Sequence, residues 1–242
     1  MSDLIATPAP TRTPRPFDFR HPSTLSRDDA RTLQVLQETI AHGVATSFAT
    51  AVRASIDVQI RDIEQVPYGE VVRQTPNPSP LVLLRIEPIS SVALLHVDAA
   101  LSFALIELLL GGSGNGPHPD RGHSEVEETL LGGLIDGLRP SMDEAFEPLA
   151  PVTTSILGHE SNPTYVQIAS ATDMVVSIVL DVGVDDIRGS MRLVVPIVAL
   201  QPHLDALSAN AAESPRNEPT DFTASRNVSC SRSSATGAEP PT

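Results

Sequence analysis

The chain contains no lysine and no tryptophan, and every one of its 16 basic residues is arginine. Aromatic residues make up only 3% of it. A packed interior therefore has to be filled by Leu, Val, Ile and Ala, and a hydrophobic share of 40% is enough to build one. Positive charge is scarce: the formal net charge is −14 and the pI about 4.8. That balance disfavours nucleic acid as a partner, because phosphate binding needs clustered Arg and Lys. It equally disfavours adsorption to an anionic membrane surface. The lone cysteine, Cys230, cannot form a disulfide within the chain, which fits a reducing compartment. No apolar run approaches the roughly 18 to 20 residues that span a bilayer. The N-terminus has no basic-then-apolar signal pattern. A cytoplasmic location is expected.

What is present divides the 242 residues in three. Residues 1–24 hold Pro8, Pro10, Pro14, Pro16 and Pro22, a composition that stays extended and builds no core. Residues 209–242 are Ser-, Ala-, Pro- and Arg-rich, with Phe222 and Val228 as their large apolar side chains. Such a tail cannot offset its ordering entropy and is expected to be disordered. The folded domain is expected over residues 25–208.

Within it the pattern repeats. Ser26 and Asp29 resemble a capping box, and Leu33, Leu36, Ile40, Val44 and Phe48 follow at helical spacing to Val52. Strand-like runs come next, Asp57 to Ile63, Gly69 to Gln74, Leu81 to Ile86 and Val92 to Val97. Asp98 then caps a helix that Gly111 stops. The second half replays this order. Ser124 and Glu127 form a capping box, and one helix is expected to run on to about Phe146. Strands are expected at Val152 to Leu157, Tyr165 to Ala169, Val175 to Val182 and Arg188 to Val195, with Pro196 opening a closing helix. Two helix-strands-helix repeats predict one α/β domain with a pseudo-twofold, because either repeat alone would leave a sheet face bare.

An ordered set of short motifs carries a resemblance. Phe17-Asp18-Phe19-Arg20-His21-Pro22 precedes the Leu25-Ser26 helix start. Tyr68-Gly69-Glu70, Pro76-Asn77-Pro78, Leu109-Leu110-Gly111-Gly112-Ser113-Gly114 and Glu160-Ser161-Asn162-Pro163 follow. Together these resemble the middle domain of the flagellar motor switch family FliM. The resemblance implies a CheC-like fold and a structural, switching role in the cytoplasmic C-ring of the flagellar rotor, peripheral to the inner membrane. It implies two partners, the rotor protein FliG and neighbouring copies of the chain itself. The family's Gly-Gly-X-Gly element, which docks FliG, maps onto Gly111, Gly112, Ser113 and Gly114. Read without the resemblance, Gly111 caps a helix and the remainder is a linker. No Gly-Lys-Ser/Thr follows, so the loop is not a phosphate cradle.

The CheC-type relatives hydrolyse a response regulator's phosphoryl group with an acidic or Ser residue, a Glu and an Asn on one helix face. Laid on the helix after Ser124, these positions fall on Thr129, Gly133 and Asp136. Gly133 has no side chain, Asp136 adds negative charge, and no Glu-x-x-Asn occurs anywhere in the chain. No enzyme activity, cofactor, metal or small-molecule substrate is expected. The alternatives are a CheC-like phosphatase and a non-functional truncated remnant. His118 and His123, near Asp120, match no zinc spacing and are expected to be exposed loop histidines, while His96 and His159 are expected to be structural. Gly132 and Gly133 are expected to allow close helix packing near Gly43. The acids Glu125, Glu127, Glu128, Asp136, Asp143, Glu144 and Glu147 form either a solvated face or a wall that steers a basic partner.

Two family partners lack their matching segments. Phosphorylated CheY binds a short acidic N-terminal helix, whereas Met1 to Thr13 gives Asp3, Leu4 and Ile5 and then prolines that oppose a helix. FliN pairs with a strand-rich C-terminal domain, whereas the composition turns Ser/Arg/Pro-rich from Ser208 onward. A truncated form and an out-of-frame tail are both consistent with that change.

Overall fold

A computed structural model describes residues 27–213. The expected cap at Ser26, the Pro-rich first segment with its Phe17–Pro22 motif, and the tail beyond Glu213 with Cys230 lie outside the described residues. α1 (Arg27–Val52) leads into β1 (Ile56–Pro67), α2 (Tyr68–Gln74), the hairpin β2 (Leu81–Glu87) and β3 (Ser91–Val97), and α3 (Ala99–Leu109). The second half runs α4 (Glu125–Asp136), α5 (Arg139–Phe146), β4 (Thr153–Glu160), a helical turn at Pro163–Tyr165, the hairpin β5 (Met174–Val184) and β6 (Ile187–Pro196), and α6 (Ile197–Glu213).

All strand pairings are antiparallel. The six strands are ordered β1-β5-β6-β3-β2-β4. This order is its own mirror when β1 is exchanged for β4, β5 for β2 and β6 for β3, which is the expected pseudo-twofold. The repeats are joined more closely than by packing. The first strand of each pairs with the hairpin of the other, β1 with β5 and β4 with β2. Leu33, Leu36, Val44 and Phe48 of α1 meet Leu105, Leu134, Phe146 and Leu200 of the other helices over the inward residues of the four hairpin strands. Burying such side chains at about 25 cal/mol per Å² of apolar area is the main stabilising contribution.

Four expectations need correction. Gly69 to Gln74 is helical, because Tyr68 and Val71 stand one helical turn apart and both are buried. Tyr165 to Ala169 is not a strand either. Asn162 Oδ1 accepts the Thr164 N–H at 3.0 Å, Pro163 fixes the turn, and Val166 then drops into a small second core with Tyr68 and Val71. These two segments occupy corresponding places in the repeats and cover the other face of the sheet, where the Tyr68 hydroxyl donates to the Val166 carbonyl at 2.7 Å. The helix after Ser124 is broken after Asp136. Pro140 has no N–H, and its ring would clash with the Asp136 carbonyl in a continuous helix. Finally, α6 continues to Glu213, past the domain end expected at 208, because Ala209, Ala211 and Ala212 are strong helix formers.

Candidate functional site

The C-terminus of α3 shows how the glycine loop is built. The Gly112 N–H donates to the Glu107 carbonyl at 2.9 Å and the Gly111 N–H to the Leu108 carbonyl at 3.0 Å. With Gly111 at φ +86°, this is a Schellman motif, and the left-handed conformation accounts for glycine at 111. Gly114, at φ +72°, is buried, and a Cβ there would lie 2.8 Å from Ile187 Cδ1 and 3.1 Å from Leu108 Cγ. Gly114 therefore seats the loop on α3 and β6. Gly111, Gly112 and Ser113 face solvent. So does Leu110, whose side chain is 71% exposed. The periodicity of α3 places Leu110 at a helix end and gives no sign of this exposure.

The far end of the loop is clasped to α3 and α4. The His123 ring stacks on Phe103 with centroids 4.2 Å apart and an interplanar angle of 9°. Its Nε2 lies 3.0 Å from Ser102 Oγ. The Ser102 hydroxyl donates to the Ala99 carbonyl at 2.8 Å, so the imidazole is the donor at Nε2. Burial, reinforced by Arg121 and His159 and opposed by Glu127, holds His123 below the usual imidazole range. His123 is thus half-buried and structural, where an exposed loop histidine was expected; His118 is exposed, 6.5 Å from the Phe103 ring. Arg121 lies over the same ring, 5.4 Å from its centroid, and makes a bidentate pair with Glu127 at 2.7 and 2.9 Å. Glu127 closes the capping box of α4 with Ser124. The hydrogen bonds from Arg121 and Ser124 bring its carboxyl down to about 2. The loop is accordingly held at both ends and at Gly114, with Leu110 to Ser113 turned to solvent.

The acids after Ser124 do not form one wall. Glu127 is held by Arg121, Asp136 by Arg139 at 3.1 Å, and Asp143 accepts from the Thr154 N–H and hydroxyl at 2.7 and 2.8 Å. Glu125, Glu144 and Glu147 face solvent.

Thr129, Gly133 and Asp136 share the exposed face of the α4 helix. The Thr129 hydroxyl donates to the Glu125 carbonyl at 2.7 Å, and a Cβ at Gly133 would meet nothing within 4 Å. Of the close packing expected at Gly132 and Gly133, Gly132 has it, but against β4 rather than near Gly43, and Gly133 has none. Gly132 faces the His159 ring of β4, and Gly43 faces Ser141 of α5. Among the described residues no cluster of three or more His, Cys, Asp or Glu side chains could hold a metal, and no helix is long and apolar enough to cross a membrane.

Residues 26–212 match the family model described as flagellar motor switch protein FliM. The FliM protein of Treponema pallidum is 29% identical over 193 residues, which cover 80% of this chain and 56% of that protein. The chain spans between half and two thirds of the length of the first curated relatives it matches. Among solved structures, the FliM middle domain of Vibrio alginolyticus superposes with a TM-score of 0.64 at 25% identity, covering 73% of this chain and 99% of that one. A chain of the Helicobacter pylori FliG-FliM complex superposes with a TM-score of 0.72 at 22% identity, covering 75% of this chain and 100% of that one.

Proposed function

The chain belongs to the flagellar motor switch protein FliM family, and from that premise we propose that it is a binding component of the rotor's C-ring that docks FliG at the loop leaving α3. The observation that carries this reading is the loop itself. Leu110, Gly111, Gly112 and Ser113 present an apolar, low-relief tip to solvent, while a Schellman cap and the Phe103–His123 clasp hold its ends. A contact element already ordered in the free protein loses little entropy on docking. The ring-forming unit is residues 25–208 together with the last turn of α6, its flanks meet neighbouring copies of the chain, and the assembly is cytoplasmic and peripheral to the inner membrane. The role is mechanical, supporting a rotor layer whose arrangement controls rotation direction in motility and chemotaxis. Phosphorylated CheY and FliN are not assigned to the described fold.

Ser113→Arg tests the docking reading, because Ser113 is exposed and a long side chain there obstructs a partner without entering the core. Co-purification with FliG is expected to fall at least about tenfold, the consequence of losing roughly 1.4 kcal/mol of contact energy, with an unchanged melting temperature. Full retention of FliG would reject the loop as the docking element.

The same reading assigns no phosphatase chemistry to the outer face of α4. Gly133 supplies no side chain and Asp136 is engaged by Arg139, so the outer face of α4 offers no acid–amide pair to a phosphoryl group. Phosphate release from a phosphorylated response regulator is expected to stay at the rate without protein. Release that scales with the concentration of this chain would restore the phosphatase alternative.

A further inference from the structure

Glycine at 112 has an explanation that does not involve a partner. Unlike Gly111 and Gly114, Gly112 does not have a positive φ, so its backbone conformation alone does not call for glycine. What excludes a side chain there is Glu107. A Cβ on residue 112 would lie 2.5 Å from Glu107 Cγ and 2.9 Å from its Oε1. The other arm of the loop comes back to the same side chain, where the Gly116 N–H donates to Glu107 Oε2 at 3.2 Å. A Cβ on Gly116 would sit 2.8 Å from that oxygen. The loop therefore closes around one half-buried carboxylate, with Gly112 packed on its stem and Gly116 bonded to its head.

We propose that Glu107 is the positioning residue of the docking loop, setting the spacing of its two arms and requiring glycine at 112. The role as a docking loop rests on the function proposed above; the hold of Glu107 on the loop does not. A charge-assisted hydrogen bond to a main-chain N–H is stronger than a neutral one. It ties down a segment containing Gly111, Gly112, Gly114 and Gly116, whose backbone freedom would otherwise be large. Glutamine at 107 keeps both the stem under Gly112 and an acceptor for Gly116. Alanine removes both.

The test uses the full chain in five forms: wild type, Glu107→Gln, Glu107→Ala, Gly112→Ala and the pair Glu107→Ala with Gly112→Ala. Amide hydrogen exchange in the free protein is read at Gly112 and Gly116, and FliG affinity is read separately. Glu107→Ala is expected to speed Gly116 exchange by about tenfold to a hundredfold, while Glu107→Gln stays within about threefold of wild type. Gly112→Ala alone is expected to disturb the loop more than it does in the Glu107→Ala background, because its obstacle has been removed there. The relief is partial, since the Glu107 carbonyl would still lie 3.1 Å from the new Cβ. FliG affinity is expected to fall with loop order, by about tenfold for Glu107→Ala. Unchanged exchange in Glu107→Ala, or Gly112→Ala acting equally in both backgrounds, would overturn the proposal whatever FliG does. Altered exchange together with no FliG binding by any form, wild type included, would reject the docking reading and leave the hold of Glu107 on the loop standing.

Discussion

Single residues in this fold respond in opposite directions to the same substitution, and the surroundings decide which. Gly43 and Gly133 are both helix-interior glycines. A Cβ on Gly43 would stand 2.2 Å from Ser141 Cβ, where α1 and α5 meet, whereas one on Gly133 would meet nothing. Gly133→Ala is expected to raise stability by about 0.5–1 kcal/mol, the helix propensity of Ala over Gly. Gly43→Ala is expected to lower it by about 1–3 kcal/mol through overpacking. Urea titrations of the two variants check both signs. His96 gives a pH dependence of defined direction. Its Nε2 lies 2.7 Å from Ser79 Oγ, and burial, then Arg192, push it down to about 4 against the opposing pull of Asp98. From its ordinary 6.5 down to about 4, the unfolded chain holds the proton and the folded one does not, so stability falls on acidification through that window. The full effect is about 3 kcal/mol. Thermal melts from pH 7 to 4 are expected to fall more steeply for wild type than for His96→Asn, and coincident curves would exclude His96 as the group. Glu127 adds a loss of its own lower down, as the pH falls from its ordinary 4.5 towards about 2. Spacing in the chain shows that His96 ends a strand; it does not show the three-dimensional neighbours that set its proton affinity. The surroundings of His123 are hidden from the sequence for the same reason. Nothing in a Pro- and Gly-rich stretch signals that Phe103, twenty positions earlier, will lie under its ring.

Elements were legible where period and punctuation agreed. The apolar spacing of α1, the Asp98 cap of α3 and the capping box of α4 each mark a helix in the sequence, and Asp98 Oδ1 indeed accepts the Ala100 N–H at 2.9 Å. The four strands of the two hairpins were equally clear, because their inward side chains alternate or run continuously apolar. The sequence pattern misleads where local propensity and tertiary packing disagree. Val71 and Val72 favour a strand, but Tyr68 and Val71 are needed on one face, and a single helical turn provides it. In the break between α4 and α5, Pro140 is plain in the sequence, yet the apolar spacing runs on through Leu138 to Met142 and conceals the interruption. The acids of these helices read as one charged surface because one-dimensional spacing cannot show that Asp143 turns inward to the start of β4.

At the scale of the whole molecule, the repeat and its pseudo-twofold were legible, but the trading of strands between the repeats was not. Strand order depends on contacts far apart in the chain, and periodicity carries no information about them. Because β1 needs β5 and β4 needs β2, neither half of the chain contains the neighbours of its own first strand. Residues 1–118 and 119–242, produced separately, are each expected to lack a cooperative urea transition, and mixing them is expected to restore one. Cooperative unfolding of either half alone would show that the trade is dispensable.

A molecule whose halves are interlaced in this way has no natural hinge. In the proposed rotor role, torque arriving at the tip of the α3 loop would not be absorbed by one lobe yielding against another, because each lobe is stitched into the other's sheet by main-chain hydrogen bonds. A reversal of the rotor would then have to tilt this unit as a rigid block, and the compliance of the machine would reside in the seams between neighbouring blocks.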